Sequence, residues 1–105
     1  MTSRINQLQE LLQKEPNDSF LNYALALEYS KLNEKEKAVE LIVSLLLRDE
    51  NYLGAYYQLG QLYEQTNQLE KAREAYSKGM VIGSQQKNHK AVGELKTALS
   101  LIEEM

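Results

Sequence analysis

Apolar residues recur every three to four positions along most of the chain, which is the spacing of one face of an α-helix. Polar segments separate six such stretches. The predicted helices cover about residues 2–14, 18–32, 34–47, 52–65, 68–82 and 89–103. The only proline, Pro16, lies between the first two, and the few glycines leave little sequence for other turns. The pattern therefore predicts an all-α protein.

Two of the predicted turns have the same sequence character. Asn33 precedes Glu36 by three residues, and Asn67 precedes Glu70 by three residues. An asparagine followed by an acidic residue at this spacing is typical of a helix N-terminus, because both side chains bond to free backbone amides. We therefore expect Asn33 and Asn67 to be N-caps. A further break is expected over residues 83–88, before the last helix.

The chain also contains an internal repeat with a period of 34 residues. Between residues 17–50 and 51–84, nine identical pairs share this offset, where ordinary composition would give roughly two by chance. The pairs are Asn17 and Asn51, Tyr23 and Tyr57, Leu25 and Leu59, Tyr29 and Tyr63, Asn33 and Asn67, Glu36 and Glu70, Lys37 and Lys71, Ala38 and Ala72, and Glu40 and Glu74. Small residues follow the same rule, since Ala26 is paired with Gly60.

The second copy contains the runs Leu59-Gly60-x-x-Tyr63 and Ala72-x-x-x-Tyr76. With its 34-residue period, this copy resembles the tetratricopeptide repeat, whose pattern is W-x2-L-G-x2-Y followed by A-x3-F and a terminal proline. Tyrosines replace the Trp and Phe of that pattern. The first copy is looser, with Asn22 in the Trp position. The terminal proline is replaced in both copies.

The resemblance implies an α-solenoid, a tetratricopeptide-like superhelix of about two full helix-turn-helix repeats. One domain is expected over residues 1–105. It divides into an N-terminal half-repeat helix (1–15), repeat 1 (17–50), repeat 2 (51–84) and a C-terminal capping helix (88–104). Because repeat units cannot bury their faces alone, we expect both end helices to be needed for stability. Gly60→Leu should cost several kcal/mol through overpacking, and Glu64→Ala about 0.5 kcal/mol or less.

Composition argues against most site chemistry. Cysteine is absent, and the only histidine, His89, has no second histidine to share a metal or a proton-transfer role with. We therefore expect no catalytic site, metal or cofactor, and no enzyme. Lysine and arginine are interleaved with glutamate in a chain of net charge −3, which does not favour nucleic-acid binding. Apolar runs are too short to span a membrane, and the N-terminus lacks a signal-peptide core, so a cytoplasmic protein is predicted.

The resemblance also implies where a ligand would bind. In tetratricopeptide proteins the first helix of each repeat lines a concave groove that holds peptides. The corresponding candidate residues are Tyr23, Leu27, Lys31, Tyr57, Gln58, Gln61 and Glu64. Tyrosine suits a groove because it has an apolar body and a polar tip, although Tyr23 and Tyr57 packing only against their neighbours is an equally open interpretation.

One subclass of the family grips a terminal carboxylate with Lys and Asn on these helices, but the matching positions here hold Tyr23, Leu27, Gln58 and Gln61, so this clamp is missing. The favoured hypothesis is a non-enzymatic interaction module for a protein or peptide with mixed apolar and amide groups. The alternative is a self-associating assembly unit, a weak homodimer formed through the terminal helices, for which the apolar stripe of Ile5, Leu8 and Leu12 is the candidate surface.

Overall fold

The computed structural model describes residues 3–104, which form six α-helices and no strand. The helices are α1 (Arg4–Lys14), α2 (Ser19–Lys31), α3 (Lys35–Arg48), α4 (Gly54–Gln65), α5 (Leu69–Gln85) and α6 (His89–Glu103). Every helix that the apolar spacing predicts is present, and the all-α prediction is confirmed. Thr2, where the first helix was expected to begin, lies outside the described residues. Ser3 caps α1 instead, because its hydroxyl accepts a hydrogen bond from the Asn6 N–H at 3.1 Å.

The helices fall into two compact units, one up to Glu50 and one from Asn51 onward. In the first unit α2 packs against α1 and α3, and in the second unit α5 packs against α4 and α6. The division coincides with the limit between the two 34-residue copies. Each unit therefore contains one complete repeat hairpin and one additional helix.

Three-residue turns connect α2 to α3, α4 to α5 and α5 to α6. Asn33 and Asn67 occupy the first two turns in the left-handed backbone region, with φ of 63° and 62°. The N–H of Glu34 donates to the Tyr29 carbonyl at 2.9 Å, and the N–H of Asn33 to the Ser30 carbonyl at 3.0 Å. This pair of bonds satisfies the free carbonyls at the end of a helix.

The prediction that Asn33 and Asn67 are N-caps is therefore wrong, although the hairpins do turn at these residues. Asparagine tolerates the left-handed region better than other non-glycine residues, so it ends α2 and α4 rather than beginning α3 and α5. The N-cap positions of α3 and α5 are Glu34 and Gln68, and neither makes a side-chain cap hydrogen bond.

The third turn has the same geometry with a different residue. Lys87 is left-handed with φ of 57°, and the N–H of Asn88 donates to the Gly83 carbonyl at 2.9 Å. The expected break over residues 83–88 is thus shorter than predicted, because α5 continues to Gln85. Gly83 is buried within the helix, where a Cβ would lie only 2.9 Å from Cγ2 of Val92 on α6. This glycine provides room for helix packing and does not end α5.

The first unit has its own apolar core. Leu8 from α1 is buried with Ala24 and Leu25 from α2. Ile5, Leu12, Leu21, Tyr29 and Leu41 pack around them. Burial of Asn22 is balanced by two hydrogen bonds from its side-chain amide, to the Pro16 carbonyl at 3.0 Å and the Asp18 carbonyl at 2.8 Å. The polar residue in the Trp position of this repeat therefore fixes the turn between α1 and α2.

The second unit is built around Tyr76 of α5. This residue is buried with Ala72 and with Leu95, Ala98 and Ile102 of α6. Leu53, Tyr63, Leu69, Met80 and Leu99 complete the cluster. The last helix thus covers the apolar face that the second hairpin alone would leave in water.

Two of the repeated identities form the same contact in both hairpins. The Lys37 ammonium lies 5.3 Å from the ring centroid of Tyr29, and the Lys71 ammonium lies 5.7 Å from that of Tyr63. A cation at this distance from an aromatic face is attracted by the electron-rich ring. The repeated tyrosine and lysine thus join the first helix of each hairpin to the second.

Candidate peptide-binding surface

The predicted groove residues lie on α2 in the first unit and on α4 in the second. On α2, Tyr23, Leu27 and Lys31 are spaced by four residues and therefore share one face. Tyr23 and Leu27 are half-buried, while Lys31 is exposed. The Lys31 ammonium bonds to the carboxylate of Glu28 at 3.0 Å, so its charge already has a partner on the same helix.

On α4, Tyr57, Gln61 and Glu64 share one face, and two of their side chains converge on Tyr76 of α5. The Gln61 amide donates to the Tyr76 hydroxyl at 2.6 Å, and that hydroxyl donates to the Glu64 carboxylate. The Tyr57 and Tyr76 rings are 6.0 Å apart between centroids and tilted by 51°. The structure therefore brings three of the four candidate residues of α4 together around one buried ring.

Burial raises the pKa of the Tyr76 hydroxyl well above its usual value, and the hydrogen bond to Glu64 and the charge of that carboxylate raise it further. The raised pKa favours the protonated hydroxyl, which is the form that donates to Glu64. Gln61 and Glu64 are consequently held in place by the protein itself. The sequence alone predicted that Glu64→Ala would cost about 0.5 kcal/mol or less, because it gave no indication of this hydrogen bond.

Gly60 explains how α4 comes so close to α5. A Cβ on Gly60 would lie 2.6 Å from Cδ1 and 2.5 Å from Cζ of Tyr76, far inside normal contact distance. The small residue expected at this helix contact is therefore present for the predicted reason. Because Gly60 has no side chain, the Tyr76 ring packs directly against α4, and its hydroxyl reaches Gln61 and Glu64.

A pocket of about 340 Å³ lies between the beginning of α4 and the first half of α6. It is lined by Leu53, Gly54, Tyr57, Gln58, Ala91, Glu94 and Leu95. Tyr57 is 37% exposed, so its ring both contacts Tyr76 and faces the solvent. Tyr57 and Gln58 were predicted site residues. The α6 residues that complete the pocket were missed, because no motif marks them.

Across residues 3–104, no group of three or more His, Cys, Asp or Glu side chains is placed to hold a metal ion. His89 is exposed at the first position of α6. None of the helices in the described range has the length and apolar character required to cross a membrane. What the arrangement offers chemically is a shallow surface of tyrosine, amide and carboxylate groups.

Two-helix hairpins repeated at 34 residues, each packed against an additional helix, define an α-helical repeat protein. The family model for the tetratricopeptide repeat matches residues 1–81, and the chain belongs to this family. Its fold suggests a protein-interaction scaffold, and tetratricopeptide domains are generally non-catalytic.

Solved structures agree with this assignment. The solution structure of a tetratricopeptide repeat domain protein from Salinibacter ruber is 33% identical, with a TM-score of 0.82 over 86% of this chain and 91% of that one. A crystal structure of a tetratricopeptide repeat domain protein from the same organism, also 33% identical, gives 0.80 over 84% and 98%. A protein from Bordetella parapertussis is 20% identical, with a TM-score of 0.86 over 99% and 90%, and supports the fold alone. No curated protein gives a significant sequence match.

Proposed function

We propose that this protein is a non-enzymatic interaction module that binds a peptide or protein segment at the surface of α4 in the second unit, with the corresponding face of α2 in the first unit as a further contact surface. The observation that carries the proposal is the pocket beside Tyr57 and Gln58, which a partner side chain of moderate size would fill. Its volume is at the lower end of the roughly 300–1,000 Å³ typical of small-ligand sites. One or two side chains of a partner therefore fit better than a large cofactor.

The surroundings of Tyr57 favour a binding role because the ring is exposed and already ordered. Its contact with the Tyr76 ring limits the conformations that Tyr57 adopts before a partner arrives. Binding then costs less side-chain entropy than it would for an unconstrained tyrosine. Gln58 adds an amide that donates to and accepts from a peptide backbone. Gln61 and Glu64 contribute chiefly by holding Tyr76 under this surface.

Tyr23, Leu27 and Lys31 are proposed to play the corresponding role on α2. Their spacing puts an aromatic, an aliphatic and a cationic group on one face, which suits a partner of mixed chemistry. A mutation on α2 tests their contribution separately from that of α4. Leu27→Ser should weaken binding, and unchanged binding would restrict the proposed site to the pocket beside α4.

The test is an NMR titration of the ¹⁵N-labelled chain with peptides selected from a random displayed library. Shift changes are expected at Tyr57 and Gln58, and Tyr57→Ser should weaken binding at least roughly fivefold, as for an aromatic anchor. Val81→Ser, an exposed substitution outside the pocket, is the matched control. Shift changes confined to exposed residues such as Glu36 and Lys37, with Tyr23 and Tyr57 unaffected, would contradict the proposal.

Self-association is the second candidate. Leu11 on α1 and Leu101 on α6 are 50% and 59% exposed, which gives both terminal helices an apolar side chain at the surface. The stripe of Ile5, Leu8 and Leu12, by contrast, is packed against α2 within its own unit. Light scattering at rising concentration separates the candidates. A protein that remains monomeric at millimolar concentration excludes self-association. A dimer that Leu101→Ser abolishes would favour self-association over peptide binding.

A further inference from the structure

We infer that the segment bound at the pocket between α4 and α6 carries a lysine or arginine next to a large apolar side chain. This inference rests on the proposed function and specifies the chemistry of the partner. It comes from two features of the pocket wall, its apolar portion and its single charge.

The apolar portion is formed by both helices. Tyr57 faces it from α4, Leu53 from the position just before α4 and Leu95 from α6, while Gly54 adds no side chain that would occupy the space. An apolar group entering from solvent would lose water-exposed surface against these side chains, which is the main favourable term in such contacts. An apolar residue of the partner is therefore expected inside the pocket.

The single charge is the carboxylate of Glu94, which is exposed on α6. Two ion pairs among the described residues join Lys31 to Glu28 and Arg73 to Glu70, and neither involves Glu94. Lys90 lies one turn earlier on α6 and is not among the residues that line the pocket. A cation beside the apolar group would therefore meet a carboxylate that the fold itself does not neutralise.

The rest of α4 supports the same sign of charge. Its sequence, GAYYQLGQLYEQ, contains no lysine or arginine, and its single charged residue is Glu64. An acidic partner segment would find no lysine or arginine on α4 to pair with, and the charges near it would be the carboxylates of Glu94 on α6 and Glu64 on α4. Electrostatic complementarity of this kind selects between partners more than it adds affinity.

The experiment begins with a random octapeptide library displayed on phage and selected on the immobilised wild-type chain. Selected peptides should be enriched in Lys or Arg within two positions of a large apolar residue. Glu94→Gln should weaken the best of these peptides roughly two- to fivefold, the range expected for an exposed ion pair. The effect should shrink in 1 M salt, because exposed charges are then screened.

Glu103→Gln is the matched control, since Glu103 is exposed on the same helix, about half a turn of the helical wheel from Glu94. It removes the same charge from the chain without altering the pocket. A peptide with its basic residue replaced by glutamine should bind wild type and Glu94→Gln equally well. Helical circular dichroism establishes that each variant is folded.

The outcomes separate this inference from the proposal on which it rests. Peptides that shift the Tyr57 and Gln58 resonances but carry neutral or acidic residues would overturn the charge inference and leave the binding module intact. The same conclusion follows if Glu94→Gln and Glu103→Gln bind alike. A selection that enriches no peptide, or only peptides that leave the pocket resonances unchanged, would overturn both.

Discussion

Replacing Gly60 with alanine tests the closest helix contact in the second unit. A Cβ at this position would lie 2.6 Å from Cδ1 and 2.5 Å from Cζ of Tyr76, where carbon atoms normally stay about 3.5 Å apart or more. Relief requires a displacement of more than about 1 Å, because Cε1 of the ring would lie closer still. The ring has no space in which to swing aside, because Tyr76 is 0% exposed and its hydroxyl is bonded to Gln61 and Glu64.

The size of the effect follows from three contributions. Alanine in place of a helical glycine gains about 1 kcal/mol of helix propensity. Overpacking a buried site costs about 1–3 kcal/mol, and disturbing the hydrogen bonds of a buried hydroxyl costs a further ~1–3 kcal/mol. We therefore expect Gly60→Ala to lower the free energy of unfolding by about 3 kcal/mol, and Gly60→Leu to lower it by more.

Gly93 is the matched control, because the residue is inside α6 and a Cβ built there would meet no heavy atom within 4 Å apart from its chain neighbours and the helix backbone. Gly93→Ala should therefore stabilise the protein by about 1 kcal/mol. Urea denaturation followed by far-ultraviolet circular dichroism measures both variants. If Gly60→Ala proves as stable as Gly93→Ala, the close approach of α4 to Tyr76 is refuted. In a Tyr76→Leu background the cost of Gly60→Ala should fall, since the two substitutions then act on the same contact.

Three further predictions concern α4, α5 and the turn after α5. Burial raises the pKa values of Tyr76 and Tyr63, so the contribution of these tyrosines to stability should be fully present below about pH 10 and be lost above it, where unfolded tyrosine ionises first. Tyr76→Phe should make that loss smaller in urea titrations from pH 9 to 12. Lys87→Gly should stabilise the protein by about 0.5–1 kcal/mol, because glycine adopts the left-handed conformation of this position without strain. Its control, Lys96→Gly inside α6, should destabilise the protein by about 1 kcal/mol in the same urea denaturation assay. Glu64→Ala should cost about 1–2 kcal/mol, because the buried Tyr76 hydroxyl loses its acceptor. A cost for Glu64→Ala no greater than that of Glu103→Ala would show that this hydrogen bond contributes nothing.

Apolar spacing was sufficient to predict the six helices, because period 3.6 marks buried faces wherever packing is between helices. The turns were located correctly but explained incorrectly. Asparagine followed by glutamate three residues later is compatible with a helix start, and asparagine is equally compatible with a left-handed helix end. Only the backbone angle at Asn33 and Asn67 distinguishes the two, and the local sequence does not specify it.

The site was less accessible to sequence reasoning than the fold. Tyr57 and Gln58, which line the pocket, could be predicted as candidate residues because they occupy known positions in a repeat. Glu94 could not, because it lies about 36 residues further along in a helix whose register departs from the 34-residue period. For the hydroxyl of Tyr76, the sequence contained one indication, namely that a tyrosine occupies the position where the family pattern has phenylalanine. Its partners Gln61 and Glu64 became evident only from the packing of α5 beneath α4.

The pairing of helices with their immediate neighbours along the chain has a kinetic consequence. Within each unit the extensive helix contacts join sequence neighbours, α1 with α2, α2 with α3, α4 with α5 and α5 with α6. Closing such contacts requires only short loops, so little chain entropy is lost before packing begins to stabilise the hairpin. Helical chains dominated by local contacts fold in microseconds to milliseconds. Folding can therefore start independently at each of the three-residue turns that contain a left-handed residue. A repeat chain of this kind needs no single obligatory nucleus.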